Sequence, residues 1–127
     1  MTAATILVIE DDEASRQLAT YLLEAAGFQV LSADNGAAGL ELALTAPHDL
    51  ILCDLQMPIM NGYQVAQTLR SHPHWRAVPL VAVTAFSMPG DREKALDMGF
   101  DDHLSKPITP ETFAQQIQGF LGTANAP

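Results

Sequence analysis

Basic residues are scarce: six Lys plus Arg stand against fifteen Asp plus Glu, so the 127-residue chain carries a formal charge of −9. That sign opposes counterion-release binding to nucleic acid and docking on anionic lipid, and no direct nucleic-acid partner is expected. Cysteine is nearly absent. The single Cys53 cannot close an internal disulfide, so the fold does not depend on an oxidising compartment. Long hydrophobic runs are missing too: nothing approaches the roughly 20 apolar residues of a spanning helix, and no membrane insertion is expected. The start, Met-Thr-Ala-Ala-Thr, has no basic n-region, and the apolar stretch 6–9 runs straight into the acidic residues 10–13. That is no signal core, so the expectation is a cytoplasmic protein. What is present is ordinary globular composition, 48% hydrophobic and 17% charged. The length suits one domain over residues 1–127, with residues 122–127 as a frayed tail.

Two kinds of segment alternate along the chain. Apolar, partly β-branched runs at 5–9, 28–32, 50–53, 80–83 and, weakly, 103–105 read as strands. All but the last lack period-2 alternation and read as buried on both faces. Between them lie helical stripes: Ala14, Leu18, Leu22 and Ala25; Leu40 and Leu44; Val65 and Leu69; Ala95 and Met98; Phe113, Ile117 and Phe120 or Leu121. Gly27 and Gly99 sit where a helix must turn into a strand through a left-handed residue. Asp34-Asn35-Gly36, Asn61-Gly62 and Pro89-Gly90-Asp91 supply turn or cap chemistry, and Thr109-Pro110 offers a Thr cap with Pro at the first helical position. Five βα units imply an α/β fold, a parallel sheet with helices on both faces.

In such a sheet the functional crevice lies outside the carboxyl ends of the strands. Those ends carry Glu10-Asp11-Asp12, Asp54, Thr84 and Ser105-Lys106-Pro107, whereas the second strand, an expected edge strand, ends in nothing distinctive. Converging carboxylates repel: two unit charges 4 Å apart cost about 4 kcal/mol at an effective dielectric near 20. Lys106 offers one compensating charge, and a hard cation held by oxygens, Mg²⁺ sooner than Ca²⁺, offers more. Metal, lysine and hydroxyl together make a phosphate-binding set, which is how an Asp54 nucleophile attacking phosphorus would be served.

These residues resemble the receiver domains of two-component response regulators. The likeness covers residues 5–121, and its anchors are Ile6-Leu7-Val8-Ile9-Glu10-Asp11-Asp12, Asp54-Leu55-Gln56-Met57-Pro58-Ile59-Met60-Asn61-Gly62, Val83-Thr84-Ala85 and Lys106-Pro107. The resemblance implies a flavodoxin-like, doubly wound (βα)₅ sheet in strand order 2-1-3-4-5. It implies that Asp54 accepts phosphate from a histidine kinase or phosphotransfer protein. It implies that Asp11, Asp54 and the Gln56 backbone carbonyl hold Mg²⁺ or Mn²⁺, with Glu10 directly behind or acting through water. Thr84 and Lys106 would contact the phosphoryl group, and the Lys106-Pro107 bond would be cis. Thr84, His103 and Pro107 would form the switch. The face built from the fourth helix, fifth strand and fifth helix, including the segment 88–98, would signal to a downstream protein, because no residues remain for an output domain. Two positions depart from the family pattern: Glu10 stands where Asp is commoner, and His103 where an aromatic residue is usual.

Other readings are weaker. The acidic run 10–13 also suits a helix N-terminus, which accounts for Asp12 and Glu13 but not for Asp54 or Lys106. Cys53 belongs to core packing; His48, His72 and His74 read as surface residues; Trp75 reads as a loop anchor, and Met57 and Met60 as loop packing. A Mg²⁺-dependent phosphohydrolase working through an aspartyl phosphate would want an acid two residues after its nucleophile, where this chain has Gln56. A flavin carrier of the same fold would want a hydroxyl-rich loop after the first strand, where this chain has carboxylates.

Overall fold

The computed structural model describes residues 3–75, 78–85 and 90–124. Strands and helices alternate: β1 (Thr5–Ile9), α1 (Glu13–Ala25), β2 (Gln29–Ala33), α2 (Gly36–Thr45), β3 (Leu50–Asp54), α3 (Gly62–Ser71), β4 (Leu80–Thr84), α4 (Asp91–Asp97), β5 (Asp102–Ser105) and α5 (Phe113–Ala124), with a 3₁₀ turn at Pro73–Trp75. The sheet is wholly parallel in the order β2-β1-β3-β4-β5, as the resemblance implies. Ile9 lies opposite both Ala33 and Cys53, Asp54 opposite Val83, and Thr84 opposite Ser105. The register therefore brings all the carboxyl ends to one edge.

β3 and β4 are buried at every position and β1 at all but Thr5. Helices cover both faces, so alternate side chains enter two separate cores. Leu7, Ile9, Ile51, Cys53, Leu80 and Ala82 meet α2, α3 and α4; Ile6, Val8, Leu50, Leu52, Val81 and Val83 meet α1 and α5. β2 departs from the expectation of burial on both faces: only Ala33 is buried. Having one neighbour, β1, it is an edge strand that the helices cover incompletely.

Two helical stripes are out of phase with the sequence reading. In α1 the buried residues are Ala19 and Leu23, with Leu22 partly buried, while Ala14, Leu18 and Ala25 face solvent. The docked face is set by packing on the sheet and α5, and apolar residues flank it on both sides. In α2 the buried residues are Gly36, Gly39 and Ala43, with Leu40 and Leu44 half-buried beside them. A Cβ on Gly39 would stand 2.6 Å from Ile9 Cδ1, so closest approach requires glycine there. Val65 with Leu69, and Phe113 with Ile117 and Leu121, are buried as the spacing predicts.

The element ends are largely those the turn chemistry indicates. Gly27 and Gly99 have φ of +96° and +111°; Asn35 caps α2, and Asn61 with Gln64 forms a capping box on α3. α5 differs. The Thr109 carbonyl accepts the amides of Thr112 and Phe113 at 3.1 and 2.9 Å, so residues 109–112 make a separate turn and the helix begins at Phe113, not Pro110. It continues through Ala124, so residues 122–124 are helical where a frayed tail is expected; residues 125–127 lie outside the described part.

At the opposite edge Arg70 ties three segments together. Its Nε donates to the Gly99 carbonyl and its Nη1 to the Val78 carbonyl, each at 2.7 Å, while Nη2 meets Asp101 Oδ2 at 3.0 Å. Trp75 packs partly buried against the core, stacked on His48 with centroids 4.7 Å apart. His48 is thus half-buried, not a surface residue: its Nε2 donates to the Ala43 carbonyl at 2.8 Å. His72 and His74 are exposed. Among the described residues no helix is long and apolar enough to cross a membrane.

Candidate functional site

β1 delivers Glu10 into the crevice, 6% exposed, as its amide continues the ladder to the Ala33 carbonyl at 3.0 Å. Asp11 follows, exposed, and Asp12 turns away to cap α1, accepting the Ser15 amide at 2.8 Å. Asp54 is the last residue of β3 and is 5% exposed. Carboxylate oxygens of Glu10, Asp11 and Asp54 lie within 4.8 Å of one another. Lys106 arrives from β5, its amide bonded to the Thr84 carbonyl at 2.8 Å and its following peptide to Pro107 cis. Its Nζ stands 2.5 Å from Glu10 Oε1 and 3.3 Å from Asp54 Oδ2. Thr84 is fully buried at the neighbouring strand end.

Charge in the pocket is unbalanced, three acids to one ammonium. Burial, reinforced by a hydrogen bond with Asp54, pushes Glu10 up to about 8 against the opposing pull of Lys106. For Lys106, burial alone would lower the pKa, but the contact with Glu10 and the charge of Asp54 hold it above its ordinary value. One acid retaining its proton leaves the remaining carboxylate charge to face the ammonium. Burial raises the Cys53 thiol far out of reach of ionisation, and it packs with Leu7 and Ile9 as an inert core residue.

The donor set fits a hard divalent cation: every candidate ligand atom is oxygen, and Glu10 Oε2 is buried with no hydrogen-bond partner among the described residues. A dication would satisfy that atom and remove the reason for a retained proton. Gln56, on the same loop, donates its amide to Asp54 Oδ1 at 3.1 Å.

The loop from β3 to α3 is tightly held. A Cβ on Gly62 would lie 2.5 Å from the Asp54 carbonyl oxygen, and one on Gly36 would lie 2.4 Å from that of Met60. Met57 is buried and Met60 partly so, both against the core. Between these clamps the Met60 amide donates to the Pro58 carbonyl at 2.8 Å, a three-residue turn centred on Ile59 at φ 72°. Left-handed backbone costs a non-glycine residue about 1–2 kcal/mol, and a β-branched one is a genuine outlier there.

Of the three expected switch residues, Thr84 stands at the strand end next to Asp54, and the other two are on or just after β5. His103 is opposite Ala82 on the sheet, half-buried, its Nε2 buried without a partner among the described residues. Pro107 is exposed. Of the segment 88–98, Met88 and Pro89 lie outside the described residues; α4 itself buries only Ala95. Sequence reasoning missed Arg16, whose Nη1 donates to the Glu10 carbonyl at 3.0 Å and fixes the end of β1. It also missed the tight seats of Gly36 and Gly62 and the strained turn at Ile59. A glycine at each helix start was the available signal for the seats; nothing local marks the other two.

A family model described as the response regulator receiver domain matches residues 6–118. The chain is similar to the polar-differentiation response regulator DivK of Brucella anthropi, 37% identical over 94% of this chain and 98% of that one. Among solved structures it resembles the chemotaxis response regulator CheY4 of Vibrio cholerae, with a TM-score of 0.88 at 28% identity over 94% of this chain and 99% of that chain. It also resembles the receiver domain of the sensor histidine kinase PA1611 from Pseudomonas aeruginosa, solved with a magnesium ion coordinated in its active site cleft; the TM-score is 0.86 at 29% identity, covering 95% and 99% of the two chains. Strand order, acidic crevice, lysine and family match agree, and this chain belongs to the response regulator receiver domains.

Proposed function

We propose that residues 1–127 form one receiver domain that accepts a phosphoryl group on Asp54 from a histidine kinase or phosphotransfer protein in the cytoplasm. The observation that carries the reading is Asp54 itself: a carboxylate almost wholly buried at a central strand end, 3.3 Å from an ammonium and beside two further acids. As an Asp54 oxygen bonds to phosphorus, the donor's N–P bond breaks and its electron pair returns to the imidazole, leaving an acyl phosphate. Lys106 Nζ and the Thr84 hydroxyl bind the arriving phosphoryl oxygens. Asp11, Asp54 and the Gln56 carbonyl would hold Mg²⁺ or Mn²⁺, with Glu10 behind them or acting through water, and the ion when bound neutralises charge on the transferring group. Hydrolysis of the acyl phosphate ends the signal. The chain turns over no external substrate beyond this self-modification and its reversal.

Contacts made only with the phosphoryl group are what shift the chain between states. Taking an equilibrium from 1:99 to 99:1 needs about 5.5 kcal/mol, more than the roughly 1.5–3 kcal/mol of one charge-assisted hydrogen bond. Lys106, Thr84 and the metal must therefore act together. β5 links Lys106 to His103, and Pro107 follows it, so we assign the response to the α4-β5-α5 face, read there by a downstream protein and not by nucleic acid. Incubation with acetyl phosphate and Mg²⁺ tests the reading: intact mass should rise by one phosphoryl group in the wild type and stay unchanged in Asp54→Asn. Undiminished modification of the variant would overturn it.

A further inference from the structure

Ile59 is 96% exposed, the most exposed large apolar side chain among the described residues, on a backbone that its branched Cβ disfavours. Glycine would relieve that turn and lose almost no packing. The side chain therefore does nothing for the fold. Its position is nonetheless fixed, because the clamps at Gly36 and Gly62 hold the loop against Met60 and against the backbone of Asp54. Beside it runs a shallow groove lined by Leu55, Gln56, Met57, Pro58, Asn61 and Tyr63. The result is a rigid apolar knob and a groove on the loop that leaves the phosphoacceptor.

We propose that Ile59 and this groove form an apolar docking contact for the protein that delivers the phosphoryl group, a phosphohistidine-bearing domain with an apolar and basic surface; this rests on the phosphoacceptor reading of Asp54. Because Asp54 is 5% exposed, the donor's phosphorus must enter the crevice, and the surface around it comes down on the crevice rim. Asp11, Asp12, Glu13 and Asp34 are exposed at the ends of β1 and β2 on the same edge of the sheet. Two copies of a chain of charge −9 meeting rim to rim would repel, whereas a basic partner is complementary. Once docked, such a domain covers Ile59 and takes it out of water. A small phosphodonor has no such reach, so Ile59 separates protein donors from acetyl phosphate.

The test compares wild type with Ile59→Gly, Ile59→Asp and Ile59→Val, using acetyl phosphate with Mg²⁺ and, separately, a radiolabelled phosphohistidine domain selected as the fastest donor to the wild type. Transfer from the protein should fall about tenfold or more in Ile59→Gly and Ile59→Asp, the loss of one buried aliphatic side chain. Ile59→Val should recover most of it. Modification by acetyl phosphate should stay within about twofold, and the Tm of Ile59→Gly should not drop, since strain is relieved. Unchanged protein transfer overturns the inference, and so does an equal fall with both donors, which would mean that Ile59 shapes the pocket. A wild-type dimer that Ile59→Asp dissociates would make a second copy the occupant and overturn it as well. A wild type modified by acetyl phosphate but by no phosphohistidine domain overturns this inference alone; one that acetyl phosphate leaves unmodified overturns the phosphoacceptor reading beneath it.

Discussion

Neighbouring acids at the end of β1 have different duties. Asp11 shares the crevice with Glu10 and Asp54, whereas Asp12 is the N-cap of α1. Asp11→Asn should weaken Mg²⁺ by at least about tenfold in titration calorimetry, as loss of a charged ligand does, while Asp12→Asn, still a good cap, should change it little. Equal losses would mean that the pair is misassigned. The bond from the Ser15 amide holds Asp12 below its ordinary 3.8. A carboxylate lowered by folding stabilises the fold above its unfolded pKa and loses that contribution as pH falls through the folded value. Without metal, the Tm difference between wild type and Asp12→Ala should be present at neutral pH and shrink below pH 3.8; a difference that grows in acid would reverse the sign. These acids were legible because they cluster next to a strand end. Arg16 was not, because six residues separate it from Glu10 and only the crossing of α1 over β1 joins them.

At the scale of elements, the sequence located strands better than helix faces. A short apolar run can be buried on both sides, so its mere existence places it in the sheet. A helix with apolar residues around half its circumference leaves the docked side open, and α1 shows the consequence. Leu18 lies on the regular stripe yet is 38% exposed, while Leu23, off it, is fully buried. Leu23→Ala should cost about 3–4 kcal/mol in denaturant unfolding, the loss of a core leucine plus its cavity. Leu18→Glu should stay within about 0.5 kcal/mol. The reverse order would restore the stripe that the spacing suggests. α2 misleads for another reason: glycines make its closest approach, and they carry no hydrophobic signal.

Across the whole molecule, parallel strands divide the labour between two edges, chemistry at the carboxyl ends and mechanical ties at the amino ends. βα alternation indicated a parallel sheet, and the strand order came from the family resemblance; the Arg70 tie had no such signal, since it bonds to carbonyls, which every residue has. Division of this kind predicts that modification and response are separable. Lys106→Ala should still take phosphate from acetyl phosphate, more slowly, yet show little of the hydrogen-exchange change that beryllofluoride induces on α4, β5 and α5 in the wild type. A wild-type-sized response would remove Lys106 from the switch. The same division decides what the chain's one tryptophan can see. Trp75 sits ahead of β4, a five-residue strand or about 16 Å from the end that carries Thr84. Its emission should change sharply when the fold melts and stay nearly constant when Asp54 is modified. The protein thus carries an intrinsic optical gauge of its own integrity that is blind to its message, so one fluorescence trace can certify a folded sample before any signalling measurement begins.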